Sequence, residues 1–179
     1  MKALYQYFND NCDTTDFINF VLAGGESLQQ QAIFDAVQDS LQQQGIVAWG
    51  WPSWPEGLNE FSKPDVAKFA QENAELVNFY AWCQWIAATQ LEACQQKAKE
   101  LSMTLGIYRD LAVGVSSGSA EVWANRDLYC ADISVGAPPD PLGPQGQSWG
   151  LPPMEPNKLF DQGYQPIIDL YRANMQSCG

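Results

Sequence analysis

Two long stretches carry a helical rhythm of apolar positions. From Leu28 to Gln44, Ile33, Phe34, Val37 and Leu41 recur at helical spacing, with Ser27 ahead as a cap and Gly45 behind as a stop. From about Asn73 to Ser102, Leu76, Phe79, Tyr80, Cys83, Ile86, Ala87, Leu91, Cys94 and Ala98 form one stripe, and such a stripe reads as core. Shorter helices are expected around Asp16–Leu22, ending at Gly24-Gly25, and from Pro64 through Phe69. Pro64 suits a first helical position because its missing N–H would have no partner there. Ser119 is placed to cap a short helix at Ser119–Ala124. Tyr164–Gln176 predicts a last helix with Ile167, Ile168, Leu170, Tyr171 and Met175 on its apolar side, stopped by Gly179. Between the helices, Leu105-Gly-Ile-Tyr-Arg-Asp-Leu-Ala-Val-Gly-Val115 reads as a buried strand, and Leu128–Val135 as extended. A long helix feeding a buried strand is the unit of an α/β fold, here mostly helical with few strands.

Two segments do not fit any regular period. Val135 to Pro153 is dense in proline and glycine around Asp140, Gln147 and Trp149. Proline fixes φ and glycine permits sharp turns, so the segment is expected to hold its shape without helix or sheet. Loops of this length are usually functional or disordered. An aromatic plate beside a carboxylate and an amide is what a sugar groove requires, because sugar C–H faces pack on rings and hydroxyls need hydrogen-bond partners. The second segment, Ile46-Val-Ala-Trp-Gly-Trp-Pro-Ser-Trp-Pro55, reads either as an aromatic plug between helices or as a stacking platform.

Composition narrows the function classes. The 179 residues suffice for one ordinary domain, and 46% hydrophobic with 17% charged residues describes a globular body. A net charge of −12 argues against nucleic acid, whose phosphates demand a basic surface, and is compatible with a neutral glycan. There is no histidine, and the five cysteines form no C-x-x-C pair, so neither a metal nor another cofactor is expected. Cys83 and Cys94 stand about three helical turns apart and are expected in the core. Free thiols point to a reducing, cytoplasmic setting. The N-terminus lacks the apolar core of a signal peptide, and no apolar run reaches membrane-spanning length, so no membrane partner is expected.

Several separated motifs then agree in order. Gly106-Ile-Tyr-Arg-Asp-Leu-Ala-Val-Gly-Val115, Ser119-Ala-Glu-Val-Trp-Ala124, Gly136-Ala-Pro-Pro-Asp140 and Gly146-Gln-Ser-Trp-Gly-Leu-Pro-Pro153 resemble the 4-alpha-glucanotransferases. These are also called amylomaltases or disproportionating enzymes, glycoside hydrolase family 77. Trp49-Gly-Trp-Pro-Ser-Trp-Pro55 and Tyr164-Gln-Pro-Ile-Ile-Asp-Leu-Tyr-Arg-Ala-Asn-Met175 are similar to its bacterial branch. The resemblance implies a fragment of a (β/α)8 barrel with helical insertions: residues 1–103 largely helical, residues 104–179 carrying a barrel strand, the substrate loop and the following helix. It also implies transfer of α-1,4-glucan segments between maltooligosaccharides by a retaining double displacement.

The family's nucleophile lies in an Arg-x-Asp-His motif beyond the Arg-Ala-Asn-Met helix, and the acid/base and third carboxylate lie further on. No catalytic residue is therefore carried onto this chain, and the isolated fragment is expected to be inactive. The Pro-Pro-Asp…Gly-Gln-x-Trp loop of the family lines the glucan cleft, which makes Asp140, Gln147 and Trp149 candidate substrate contacts: Asp140 accepts, Gln147 donates and accepts, Trp149 stacks. Family members often carry an Asp where this chain has Gly118. Asp110, near the expected top of a barrel strand, either lines the site or pairs with Arg109 or a neighbouring loop. Glu121 and Asp161 are expected as surface or capping charges, Tyr108 and Trp123 as core. The alternative from another class is a non-catalytic glycan-binding or helical interaction module.

Overall fold

The computed structural model describes residues 1–47, 49–112 and 114–178. Its elements in chain order are α1 (Lys2–Asn11), α2 (Thr15–Gln43), α3 (Pro64–Glu72), α4 (Ala74–Glu100), α5 (Ala120–Ala124), β1 (Val135–Ala137), β2 (Gln147–Leu151), α6 (Pro156–Asp161) and α7 (Gln165–Met175). The chain divides into two compact units, Met1–Leu91 and Glu92–Gly179.

The first unit is helical and built on rings. Tyr5 and Phe8 of α1, Phe17 and Ala32 of α2, and Phe79, Ala81 and Trp82 of α4 form its buried core. Ring centroids lie 5.7 Å apart for Tyr5–Phe79, 6.1 Å for Phe8–Phe17 and 5.2 Å for Phe8–Trp85. Tilted and edge contacts of this kind add to simple area burial. Helix α1 was not expected, because its aromatics are spread round the helix and hide the period. Helix α2 covers both helices expected there, kinked at Gly25, whose φ of 54° and ψ of −144° are not helical. Helices α3 and α4 begin close to the expected positions, α3 with Pro64 in its first turn.

The Trp-rich segment holds one buried and one open indole. Trp54 is 4% exposed and packs tilted against Phe34 of α2 at 4.8 Å between centroids. Its Nε1 donates to Gln38 Oε1 at 3.2 Å, and the Gly50 N–H donates to the same oxygen at 3.1 Å. Trp49 stands 91% exposed. Ala48 of this segment, like Val113 of the expected strand and the expected stop Gly179, lies outside the described residues.

The second unit departs more from expectation. The strand expected at 105–115 does not form a ladder: the sheet among the described residues has two strands, β1 and β2. A strand is defined by backbone pairing, and here the Ile107 N–H goes to the Gln95 side chain and the Asp110 carbonyl to Asn174 instead. Gly106 adopts a φ of +67°, which breaks the extended path, and Tyr108, expected in the core, is 88% exposed. Cys94 and Ala87 of the expected α4 stripe are exposed, while Gln95 and Ala98 are buried. The last third of α4 thus buries Ala98 as the stripe requires but turns the amide of Gln95 inward in place of Cys94. Trp123 is buried as expected, and the Ser119 hydroxyl accepts from the Val122 N–H as its cap. Helix α7 falls where the spacing placed it, but Ile168, Leu170, Tyr171 and Met175 are exposed.

Candidate carbohydrate site

The Pro/Gly-rich segment is a hairpin, not a loop without sheet. Strands β1 and β2 pair antiparallel, Gly136 opposite Ser148 and Ala137 opposite Gln147, with an irregularity between Val135 and Gly136. Below them the neck continues the ladder. Tyr129 bridges Met154, the Cys130 N–H donates to Pro153 O at 2.9 Å, and the Glu155 N–H donates to Leu128 O at 2.8 Å. The expected extended run of residues 128–135 is in part this neck. The close approach of the strands depends on Gly136, where a Cβ would stand 1.9 Å from Gln147 O. The proline content hid this pairing, because only a few N–H groups have to meet to make so short a ladder.

The neck is anchored from within. Buried Tyr129 donates its hydroxyl to the Glu121 carboxylate, so Glu121, expected as a surface or capping charge, stands in the first turn of α5 but is half-buried and bonded to the neck. Burial, then this bond to a carboxylate, pushes the Tyr129 phenol far above its ordinary range, because ionising it would place two negative charges side by side. Asp161, at the end of α6, is exposed as expected.

At the tip, Asp140 builds the turn. Its Oδ1 accepts from the N–H of Leu142 at 2.8 Å and of Gly143 at 2.5 Å. Its own N–H donates to Gly143 O at 3.2 Å, and Gly146 N–H donates to the same carbonyl at 2.8 Å. This is the Asx-turn use of a short carboxylate. Both side-chain bonds fall on Oδ1.

Gln147 and Trp149 lie two residues apart on β2 and therefore share a face. Both are exposed, Trp149 to 42%. Trp149 Nε1 donates to Gln147 Oε1 at 2.9 Å. An indole N–H is a donor only, so this bond fixes the amide with its oxygen toward the ring and its NH2 end toward the turn at Gly143. A Cβ at Gly143 would lie 3.5 Å from Asp140 Oδ1 and 3.9 Å from Gln147 Nε2, so turn and strand bring the carboxylate and the amide to one spot. The three together offer an acceptor, a donor and a partly open ring. Among the described residues no group of three or more Cys, Asp or Glu is placed to hold a metal ion.

Asp110 lies on the segment that follows Gly106, outside the hairpin. It is exposed, and its carbonyl accepts from Asn174 Nδ2 of α7 at 3.0 Å. Arg109 does not pair with it. The guanidinium turns to the C-terminal end of α7 and donates to Gln176 O at 2.7 Å. A cation there also meets the negative end of the helix dipole.

The family model described as 4-alpha-glucanotransferase matches residues 1–179. The chain belongs to the 4-alpha-glucanotransferase family. It is 40% identical over 168 residues to the 4-alpha-glucanotransferase of Haemophilus influenzae, covering 91% of this chain and 24% of that protein. It is 38% identical over 129 residues to that of Mycobacterium tuberculosis, covering 72% of this chain and 18% of the relative. Among solved structures, the amylomaltase from Corynebacterium glutamicum matches with a TM-score of 0.70 at 35% identity, covering 91% of this chain and 20% of that one. The amylomaltase from Streptococcus agalactiae in complex with acarbose shares the fold, with a TM-score of 0.77 at 18% identity over 98% of this chain and 35% of that one. The chain thus spans about a quarter of the length of the H. influenzae relative.

Proposed function

We propose that this chain supplies one wall of the glucan groove of a 4-alpha-glucanotransferase acting on maltooligosaccharides. In this reading it forms part of a (β/α)8 barrel with helical insertions, in a cytoplasmic enzyme. Asp140 Oδ2 accepts from a sugar hydroxyl, Gln147 Nε2 donates to another, Trp149 packs on a sugar face, and Asp110 contributes from the 106–110 segment. The observation that carries the reading is the exposed Gln147–Trp149 pair, bonded at 2.9 Å beside the Asp140 turn. Exposed polar and aromatic groups held in one geometry cost little to order when a ligand arrives. A family-wide match and acarbose, the ligand named for the S. agalactiae amylomaltase, favour the same ligand class.

The parent reaction would be a retaining double displacement in which a sugar hydroxyl, not water, captures the glycosyl-enzyme. The chain has no histidine and hence no Arg-x-Asp-His run, so we assign none of its carboxylates to that chemistry. The 179 residues alone are expected to release no glucose from maltotriose. No helix among the described residues is long and apolar enough to cross a membrane.

Isothermal titration of the chain with maltoheptaose tests the groove. Gln147→Glu keeps the oxygen that accepts from Trp149 but cannot donate while ionised. It is expected to bind about tenfold more weakly at pH 7, roughly the loss of one hydrogen bond of about 1.4 kcal/mol. Binding should recover as the pH falls and the carboxyl regains a proton. Equal binding by wild type and variant at pH 7 would remove Gln147 as a donor.

A further inference from the structure

Gln95 is the one buried polar side chain in the core of the described residues, at 1% exposure. It lies on α4, in a position the apolar spacing passed over. Its Oε1 accepts the Ile107 N–H at 2.7 Å. A Cβ on Gly106 would stand 2.6 Å from Gln95 Oε1 and 2.7 Å from its Nε2, so the backbone at Gly106 lies directly against the amide. Three residues on, Arg109 donates to Gln176 O at 2.7 Å, and Asn174 Nδ2 donates to Asp110 O at 3.0 Å.

The 106–110 segment has no strand neighbour among the described residues, yet its path is fixed at both ends by side chains of two helices. Burying an amide is costly unless it is bonded, so a buried Gln whose oxygen serves one loop N–H specifies that loop's register. A one-residue slip would turn each side chain of an extended segment to the opposite side.

We infer that Gln95 is a positioning residue for the glucan groove: with Asn174 it sets the register of residues 106–110 and so decides where the Asp110 carboxylate stands. The inference rests on the reading of Asp110 as a groove residue. Gln95 touches no glucan. It acts through Ile107, and Asn174 acts through the Asp110 carbonyl. The amide is suited to this task because it is uncharged and holds its acceptor at the same point at every pH.

The test joins amide exchange with a double-mutant cycle on the 179-residue chain. Gln95→Met keeps the side-chain length and removes the acceptor. Exchange at the Ile107 amide is expected to quicken at least tenfold. Maltoheptaose affinity is expected to fall about fivefold in the Asp110 background and not at all in Asp110→Asn, because a lost carboxylate cannot be misplaced twice. Equal losses in both backgrounds, or an unchanged Ile107 exchange rate, overturn the inference. Unchanged exchange with intact maltoheptaose binding refutes the clamp and leaves the groove standing. Quickened exchange in a chain whose binding ignores Asp110→Asn refutes the groove role of Asp110, and the positioning role falls with it. Should Gln95→Met lose its melting transition, Asn174→Ala carries the same cycle, its expected loss again confined to the Asp110 background.

Discussion

The ring cluster of the first unit and the hairpin of the second spend their aromatics in opposite ways. In the first unit Tyr5, Phe8, Phe17, Phe79 and Trp82 are all buried, and the helices exist to bring them together. In the hairpin the ring of Trp149 lies open, and backbone bonds and one carboxylate turn hold its surroundings. A ring inside a core is a stability group. A ring held at a rim by other people's hydrogen bonds is available to a ligand. The same residue type thus points to opposite roles, and the burial of its neighbours tells them apart.

That contrast can be broken at either end. The largest effect is expected in the ring cluster, where Phe8→Ala should cost about 3–5 kcal/mol of stability, read from denaturant unfolding of the first unit. Ring deletion there should leave the Ile107 amide of the second unit protected. Next comes Gly136→Ala. The new Cβ meets Gln147 O at 1.9 Å, so the hairpin must open. We expect a strain of about 1–3 kcal/mol and loss of maltoheptaose binding, with the first unit's unfolding unchanged. Trp149→Ala should behave the other way from Phe8→Ala. It should cost roughly 1 kcal/mol or more of glucan affinity, by analogy with base stacking on rings, and leave the unfolding curve nearly in place.

The smallest effect sharpens the anchor beneath the hairpin. The Tyr129 phenol is raised above its ordinary value of 10.0, so the folded chain keeps a proton that the unfolded chain gives up. Its contribution is complete below pH 10 and declines as the pH rises beyond that, by at most ~1.4 kcal/mol per pH unit. Tyr129→Phe should flatten that alkaline decline in a thermal melt. It will not abolish it, because Tyr80 is raised as well, by burial and the Asp39 carboxylate beside it.

The parts of the fold written in local chemistry were legible beforehand. Pro64 opens α3, Ser119 caps α5, and the spacing of Ile167 to Met175 gives α7. What escaped was decided by distant partners. The 105–115 run has strand composition, but composition does not supply a neighbour to pair with. Cys94 sits on the stripe by spacing and is exposed, while Gln95 beside it is buried. Periodicity scores an amide as surface and cannot see the Ile107 N–H that makes its burial tolerable. In the candidate site, Asp140, Gln147 and Trp149 were legible as a group because glycine and proline framed them. Their hairpin geometry was not, since it depends on Gly136 admitting the Gln147 carbonyl. Glu121 looked like any helix-surface carboxylate until Tyr129 was placed over it.

A rim that meets glucan should report it through the Trp149 indole. Seven indole N–H resonances report on the seven tryptophans, with Trp149→Phe assigning one of them. On titration with maltoheptaose, the Trp149 Nε1–H signal should shift in a saturable way while those of buried Trp54 and Trp123 stay in place. A Trp149 signal that does not move at saturating millimolar maltoheptaose, or that moves only together with the buried indoles, would contradict the account.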